Sequence, residues 1–364
     1  MSTQPSTPSD RKTTASPPLD ASVLDGFSDP VLLVDPEHTI VDYNRAARHM
    51  LGAGALGSRL DQFLNSDHIR AEIDARLAGT PATRSEVFLP HPVARYFELN
   101  VWRLPDLTSS GPAWAMLVLR DITESKKTAK MRADFVANVS HELRSPLSSL
   151  LGFIETLRGP AAGDVEATQK FLEIMEGEAG RMARLVNDLL ALSKLETEEH
   201  IWPEDAVDVG SILSQVADIL MVRATEYGMS FVLENMDGLP RVLGAEDELV
   251  QVFQNLASNA ISYGQPNTEI RVTASLIENV PGGDGPGVAI AVCNQGDGIP
   301  ADEIPRLTER FYRVDKGRSR TMGGTGLGLA IVKHIVARHR GALDIESTLS
   351  ESTTFTVSLP LANQ

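Results

Sequence analysis

Cysteine is almost absent from this 364-residue chain: Cys293 is the only one. An intrachain disulfide and a Cys-based zinc site are both excluded. Positive charge is also short. Lys and Arg total 33 against 49 Asp and Glu, a formal charge of −16. Phosphate backbones and anionic lipid both require a basic surface, so nucleic-acid binding and lipid docking are poor candidates for the main task. Long apolar runs are missing too. The longest, Ala113 to Leu119, is strand-sized, and the N-terminus carries no signal-peptide apolar region. Apolar residues nevertheless make up 42% of the chain, enough to bury real cores. The expectation is a soluble, cytoplasmic protein of two or three domains in a reducing compartment.

Residues 1–20 are mostly Ser, Thr, Pro and charge and read as a disordered tail. Residues 21–123 mix periods. Strands are expected at Val31–Val34 and Ile40–Tyr43. Asn44 then caps a helix that stops at Gly52, and a further helix covers Asp67–Leu77. Strands at Glu86–Leu89, Arg95–Leu104 and Ala113–Arg120 complete a small α+β domain with an antiparallel sheet. Its histidines, His38, His49, His68 and His91, read as surface positions rather than ligands.

Over residues 124–199 the period turns helical. Phe135, Val139, Leu143, Leu147, Leu150, Ile154 and Leu157 recur every three or four residues, as do Leu172, Met175, Met182, Leu185, Leu189 and Leu192. A short loop from Arg158 to Gly163 makes these an antiparallel hairpin. A lone hairpin cannot cover both stripes, so a dimeric four-helix bundle is expected. Residues 200–364 read as α/β. Helices are expected at Ser211–Tyr227, Glu246–Tyr263 and Gly326–Arg338. Strands are expected at Ser230–Leu233, Glu269–Ala274, Val288–Cys293, Ala342–Ile345 and Thr353–Ser358.

The segment Phe135–Leu147, FVANVSHELRSPL, carries a chemical signal. His141 lies two residues from both Val139 and Leu143, which puts it about 200° round the helix from either, toward solvent. Glu142 adjoins it, Ser145 lies one turn on, and Pro146 predicts a kink. A neutral imidazole is a nucleophile near pH 7, an adjacent carboxylate can take its ring proton, and a hydroxyl can place a water for the reverse reaction.

Three further strings suit a nucleotide. In Gln251–Gly264, Asn255 and Asn259 stand four apart on one helix face, and carboxamide oxygens are hard ligands fit for Mg²⁺. In Cys293–Pro300, CNQGDGIP, two glycines follow a strand whose end, Asn294, can bond an adenine edge. In Gly323–Lys333, GGTGLGLAIVK, a glycine loop runs into an apolar helix, a phosphate cradle. The preceding stretch from Arg306 to Arg320 holds six basic and two acidic residues, a local reversal of the chain's charge.

These strings resemble the sensor histidine kinases of two-component systems. SHELRSPL is similar to the family's phosphoacceptor box, NLASNAISY to its asparagine box, NQGDGIP and GGTGLGLAIVKHIV to its glycine boxes, and RFYRVD to its phenylalanine box. IPRLTERFYRVDKGRSR is similar to the phosphate-regulon type. The first domain resembles a PAS domain through DPVLLVDPEHTIVDYNRAA. The resemblance implies a multidomain α+β chain. A PAS-like α/β sensor domain spans 21–123, a dimerisation and phosphotransfer hairpin 124–199, and a Bergerat-type α/β sandwich that binds ATP 200–364. It implies autophosphorylation of His141, with Glu142 as base and Ser145 nearby, and transfer to an Asp of a separate response regulator, with phosphatase activity as a second expected role. The nucleotide set it implies is Asn255, Asn259, Tyr263, Asn294, Gly296, Gly298, Arg313, Lys316, Gly324, Thr325, Gly326, Leu327 and Gly328, with Asn259 on Mg²⁺. The partners implied are a second copy and the regulator, and any membrane association would run through another protein.

Two positions depart from the family pattern. Asn294 stands where an Asp is usual, which removes the charge-assisted part of an adenine bond, about 1 kcal/mol. Ser262 stands where Lys is common. Ser145 replaces Thr and keeps its hydroxyl. These departures motivate a second reading, a scaffold that binds nucleotide weakly or a variant dominated by phosphatase activity. A third reading, an ATPase of the gyrase, chaperone or mismatch-repair kind, leaves the histidine hairpin unexplained.

Overall fold

The computed structural model describes residues 21–364 apart from 53, 65–66, 82–83, 91–92, 105–112, 199, 284, 315–323 and 363–364. The expected tail, His91 and Lys316 lie outside the described residues. Two compact units divide between Asp134 and Phe135.

In the first unit, α1 (Ala21–Leu24), β1 (Val31–Val34), β2 (Ile40–Tyr43), α2 (Arg45–Leu51), α3 (Asp67–Leu77), β3 (Ser85–Leu89), β4 (Arg95–Leu104) and β5 (Trp114–Asp121) form a helix-covered antiparallel sheet ordered β2-β1-β5-β4-β3. VLLV is buried at all four positions because the strand is covered on both faces. Leu32 and Val34 join the main core, while Val31 and Leu33 pack with Leu24 and Val118. Asn44 does more than cap α2. Its Oδ1 accepts from Ala47 N (2.9 Å) and Val31 N (3.0 Å), and its Nδ2 donates to Asp29 O (2.8 Å) and Phe27 O (3.1 Å). The reading of His38 as a surface residue is corrected. It is 9% exposed and its Nε2 lies 2.8 Å from Asp74 Oδ1, a pairing across 36 residues that no local pattern encodes.

The second unit opens with a helical hairpin. Helix α4 (Thr123–Arg158) begins in the first unit and runs unbroken through Pro146, and α5 (Val165–Thr197) is capped by Asp164 on Ala167 N. Phe153 and Phe171 stack across the hairpin with centroids 5.2 Å apart. Outside that seam the hairpin is covered unevenly: Leu185 and Leu192 are buried in the core of the second unit, while Leu147, Leu151 and Leu172 are each about half exposed.

Then follow β6 (Ala206–Val207), α6 (Val209–Glu226), β7 (Ser230–Glu234), β8 (Val242–Leu243), α7 (Glu246–Tyr263), β9 (Glu269–Ile277), β10 (Gly287–Gln295), α8 (Gly328–Arg338), β11 (Ala342–Thr348) and β12 (Ser352–Pro360). The large sheet is ordered β11-β12-β10-β9-β7, antiparallel except for the β7–β9 pair. The short β6–β8 ribbon escaped the sequence pattern, because two residues carry no period. Helix α7 shows why the sandwich forms. Leu249, Val252, Phe253, Leu256, Ala257, Ala260 and Ile261 recur at helical spacing and are buried. Each large side chain among them contributes about 1.5–3 kcal/mol. Glu246, Asp247 and Glu248 sit in the first turn, where the helix dipole favours negative charge.

His339 locks α8 to the start of α7. Its Nε2 accepts from Ala245 N (3.0 Å) and its Nδ1 donates to Ile335 O (2.8 Å), a set that only one neutral tautomer satisfies. Burial pushes its pKa below the ordinary 6.5, outweighing the Ile335 bond and Glu248. The unfolded chain then takes up this proton before the folded one does. His339 therefore supports folding above pH 6.5 and loses that support as pH falls below it. Urea titrations at pH 7.5 and 5.5 are expected to show a lower midpoint at 5.5, with the drop reduced in His339→Gln. An equal drop in both proteins would refute the assignment.

Candidate active site

His141 is exposed on α4, with no hydrogen-bond partner among the described residues. It lines a shallow open pocket of about 300 Å³ with Glu142, Arg144, Ser145, Ser148 and Arg181. The helix geometry behind this is simple: 141, 144, 145 and 148 share one face, and α5 returns antiparallel to add Arg181. Two guanidiniums against one carboxylate make the pocket fit for a phosphoryl group. Glu142 is not idle. Arg181 Nη2 donates to its Oε2 at 2.5 Å, and both side chains are largely shielded. Sequence reasoning missed Arg181, which lies 39 residues away on the other helix.

The nucleotide candidates gather around α7 and the start of α8. A Cβ on Gly328 would lie 3.1 Å from Asn255 Oδ1, so this glycine lets the N-terminus of α8 approach the Asn-bearing face of α7. Asn255 Nδ2 is buried with no hydrogen-bond partner among the described residues. An orphaned N–H donor beside a helix N-terminus fits a phosphate oxygen, and the same side chain's Oδ1 is a hard oxygen suited to a cation. Asn259 stands one turn on, half-buried. Tyr263 ends the helix, and a Gly264–Gly296 bridge seats the glycine turn against it, with Tyr263 O 2.6 Å from where a Gly296 Cβ would stand. Asn294, 5% exposed at the end of β10, donates from Nδ2 to Gln295 O (3.2 Å).

The glycine loop is pinned from two sides. Gly326 takes φ +72°, and its carbonyl accepts from Phe311 N (2.8 Å). A Cβ there would meet the Phe311 backbone at 3.0 Å and Arg313 Nε at 3.4 Å. On the other side Thr325 Oγ1 donates to Asp188 Oδ2 of α5 at 2.7 Å, while its own oxygen accepts from Leu327 N (3.3 Å). Burial raises the Asp188 pKa, against the opposing Thr325 bond and Arg184. Phe135 and Phe311 rings pack 5.9 Å apart, and Arg310 pairs with Glu196. Gly324 is exposed beside this loop, and Leu327 is fully buried beneath it. Among the described residues, none of the nucleotide candidates lines the His141 pocket.

Residues 24–127 match the PAS fold, and residues 244–363 match the histidine kinase-, DNA gyrase B- and HSP90-like ATPases. That second match alone leaves three enzyme classes open. Residues 131–198 match the His Kinase A (phospho-acceptor) domain. A phosphate regulon sensor protein, PhoR of Pseudomonas aeruginosa, is 34% identical over 333 residues, 90% of this chain and 71% of that one. The chain is a sensor histidine kinase.

The sensor-like histidine kinase SenX3 of Mycolicibacterium smegmatis is 40% identical to the kinase over 254 residues, 70% of this chain and 64% of that one. A solved structure, histidine kinase ThkA in complex with response regulator protein TrrA, superposes with a TM-score of 0.50 over 94% of this chain and 98% of that one. At 20% identity it speaks for the fold. The kinase is ATP-dependent by family. Among its described residues no helix is long and apolar enough to cross a membrane.

Proposed function

We propose that His141 of this kinase accepts the γ-phosphoryl group of ATP and passes it to an Asp of a response regulator of the phosphate-responsive type. An imidazole nitrogen attacks phosphorus, the bond to the ADP oxygen breaks, and the ring proton passes to Glu142. Arg181 holds that carboxylate beside the histidine, and Arg144 and Arg181 face the incoming charge. Asn259 and Asn255 would hold Mg²⁺, which supplies charge neutralisation at the phosphate oxygens when bound. Asn294 would read adenine. Gly324 to Gly328, with Thr325 and Arg313, would enclose the phosphates. Ser145 would place a water for dephosphorylation. The single observation that carries this reading is an exposed histidine with no partner among the described residues, in a two-arginine pocket, within a chain that also folds an ATPase sandwich.

The same reading divides the chain at 21–123, 124–199 and 200–364. It also makes the kinase a homodimer. Leu147, Leu151, Ile154 and Leu172 leave an apolar stripe on the hairpin that a second copy would cover. Incubation with radiolabelled ATP and Mg²⁺ tests the reading. Acid-labile, base-stable label is expected. Acid-stable label would point to Ser, Thr or Tyr and refute it.

Beside Asn294 and Ser262, the weak-binding alternative draws on one structural contact, the Asp188 bond that holds Thr325. Asp188→Ala frees that hydroxyl. Nucleotide affinity, measured by calorimetry, is expected to rise about fivefold, the equivalent of one ordinary hydrogen bond. No change would show that the contact does not restrain the loop.

A further inference from the structure

Helix α7 presents Asn255, Asn259 and Ser262 on one face, since residues four and seven apart fall within about 40° of each other. It carries no Lys or Arg between Glu246 and Tyr263 and begins with three acids. A triphosphate against that face needs positive charge from another element. The neighbouring α6 holds one in position. Arg223 Nη2 donates to Ser262 Oγ at 3.0 Å. Arg223 is half-buried, and no carboxylate of the described residues pairs with it. Arg306 and Arg310, by contrast, are already matched by Glu303, Glu309 and Glu196.

A guanidinium has five N–H donors, and a hydroxyl takes one. Its place in the last turn of α6 suits the helix dipole but does not explain why it turns onto α7. A small side chain at 262 leaves room for the long arm, and its oxygen orients the planar fork. We propose that Arg223 is a phosphate-binding residue of the nucleotide site, delivered across α6–α7 and aimed by Ser262. The inference rests on the reading that ATP binds against Asn255 and Asn259.

The test is calorimetry on the full chain with Mg²⁺–ATP and with adenosine as separate probes. Arg223→Gln is expected to weaken ATP about tenfold to a hundredfold, the span of a charge-assisted hydrogen bond, and to leave adenosine unchanged. Arg223→Lys is expected to recover part of the loss, and Ser262→Ala to lose several-fold. Unchanged ATP affinity in Arg223→Gln overturns the proposal, as does an equal loss for adenosine, which would mark a merely structural role. If Arg223→Gln does not fold, Arg223→Lys and Ser262→Ala decide it, with unchanged ATP affinity in both as the overturning result. Asn259→Ala separates the two levels. Loss of ATP there without loss in Arg223→Gln sinks Arg223 alone. Unchanged ATP binding in Asn259→Ala sinks the site reading and this proposal with it.

Discussion

His141→Gln is expected to carry no acid-labile label after incubation with Mg²⁺–ATP, and Glu142→Gln to label about 10²- to 10⁴-fold more slowly with nucleotide affinity unchanged. The first outcome follows from chemistry: a carboxamide has no nucleophilic nitrogen. The second follows from the Glu142 environment. Glu142 lines the same pocket as the nucleophile, and its carboxylate is held at 2.5 Å by Arg181. Gln keeps the shape and the acceptor but cannot take the imidazole proton. Arg181→Ala then becomes informative. It releases the carboxylate without removing it, so a rate loss smaller than that of Glu142→Gln is expected, with KM for ATP unmoved. Quench-flow labelling reads all three. Label persisting in His141→Gln would move the acceptor to another histidine. An unchanged rate in Glu142→Gln would remove the base.

Gly298→Ala is expected to destabilise the second unit by about 2–5 kcal/mol and to abolish nucleotide binding. Two costs combine. Gly298 sits at φ +71°, where a Cβ costs about 1–2 kcal/mol. That Cβ would also lie 2.5 Å from Thr348 O and 2.7 Å from Leu349 Cα, atoms of the β11–β12 turn that cannot swing aside. The glycine turn is laced to that hairpin by Gly296 N to Glu351 O (3.1 Å), Ile299 N to Ser347 Oγ (2.9 Å) and Ser350 N to Asp297 O (2.9 Å). Gly282→Ala is the control, with φ +76° and open space around it, and about 1–2 kcal/mol expected. Urea unfolding at constant slope checks both. Equal losses in the two variants would show that the close approach carries no energy. The backbone approached here is the protein's own, that of the β11–β12 hairpin.

Much of the fold was legible because its signals are local. Helix α7 runs from Glu246 to Tyr263 as its period predicts, α3 and β4 keep their expected bounds, and Asn44 caps α2. Bounds slipped where pairing outlasts pattern. β9 was expected to stop at Ala274 but runs to Ile277, because β10 pairs with residues that carry no apolar alternation. Gly326 and Leu327, expected inside the last helix, precede it, since the left-handed φ of Gly326 cannot join a right-handed helix.

The chemistry divides along the same line. The sequence by itself determined which residues bear reactive groups, and that His141 faces away from its own stripe, since both follow from residue type and the 3.6-residue turn. Tertiary structure alone decided what those groups touch. Arg181 meets Glu142 and Arg223 meets Ser262, each across 39 residues, and Asp188 reaches Thr325 across 137. A charge or hydroxyl on a half-buried helix face looks like any solvated one until a second element packs against it. Periodicity reports the direction in which a side chain leaves its helix, and only the packing of separate elements supplies the partner it finds there.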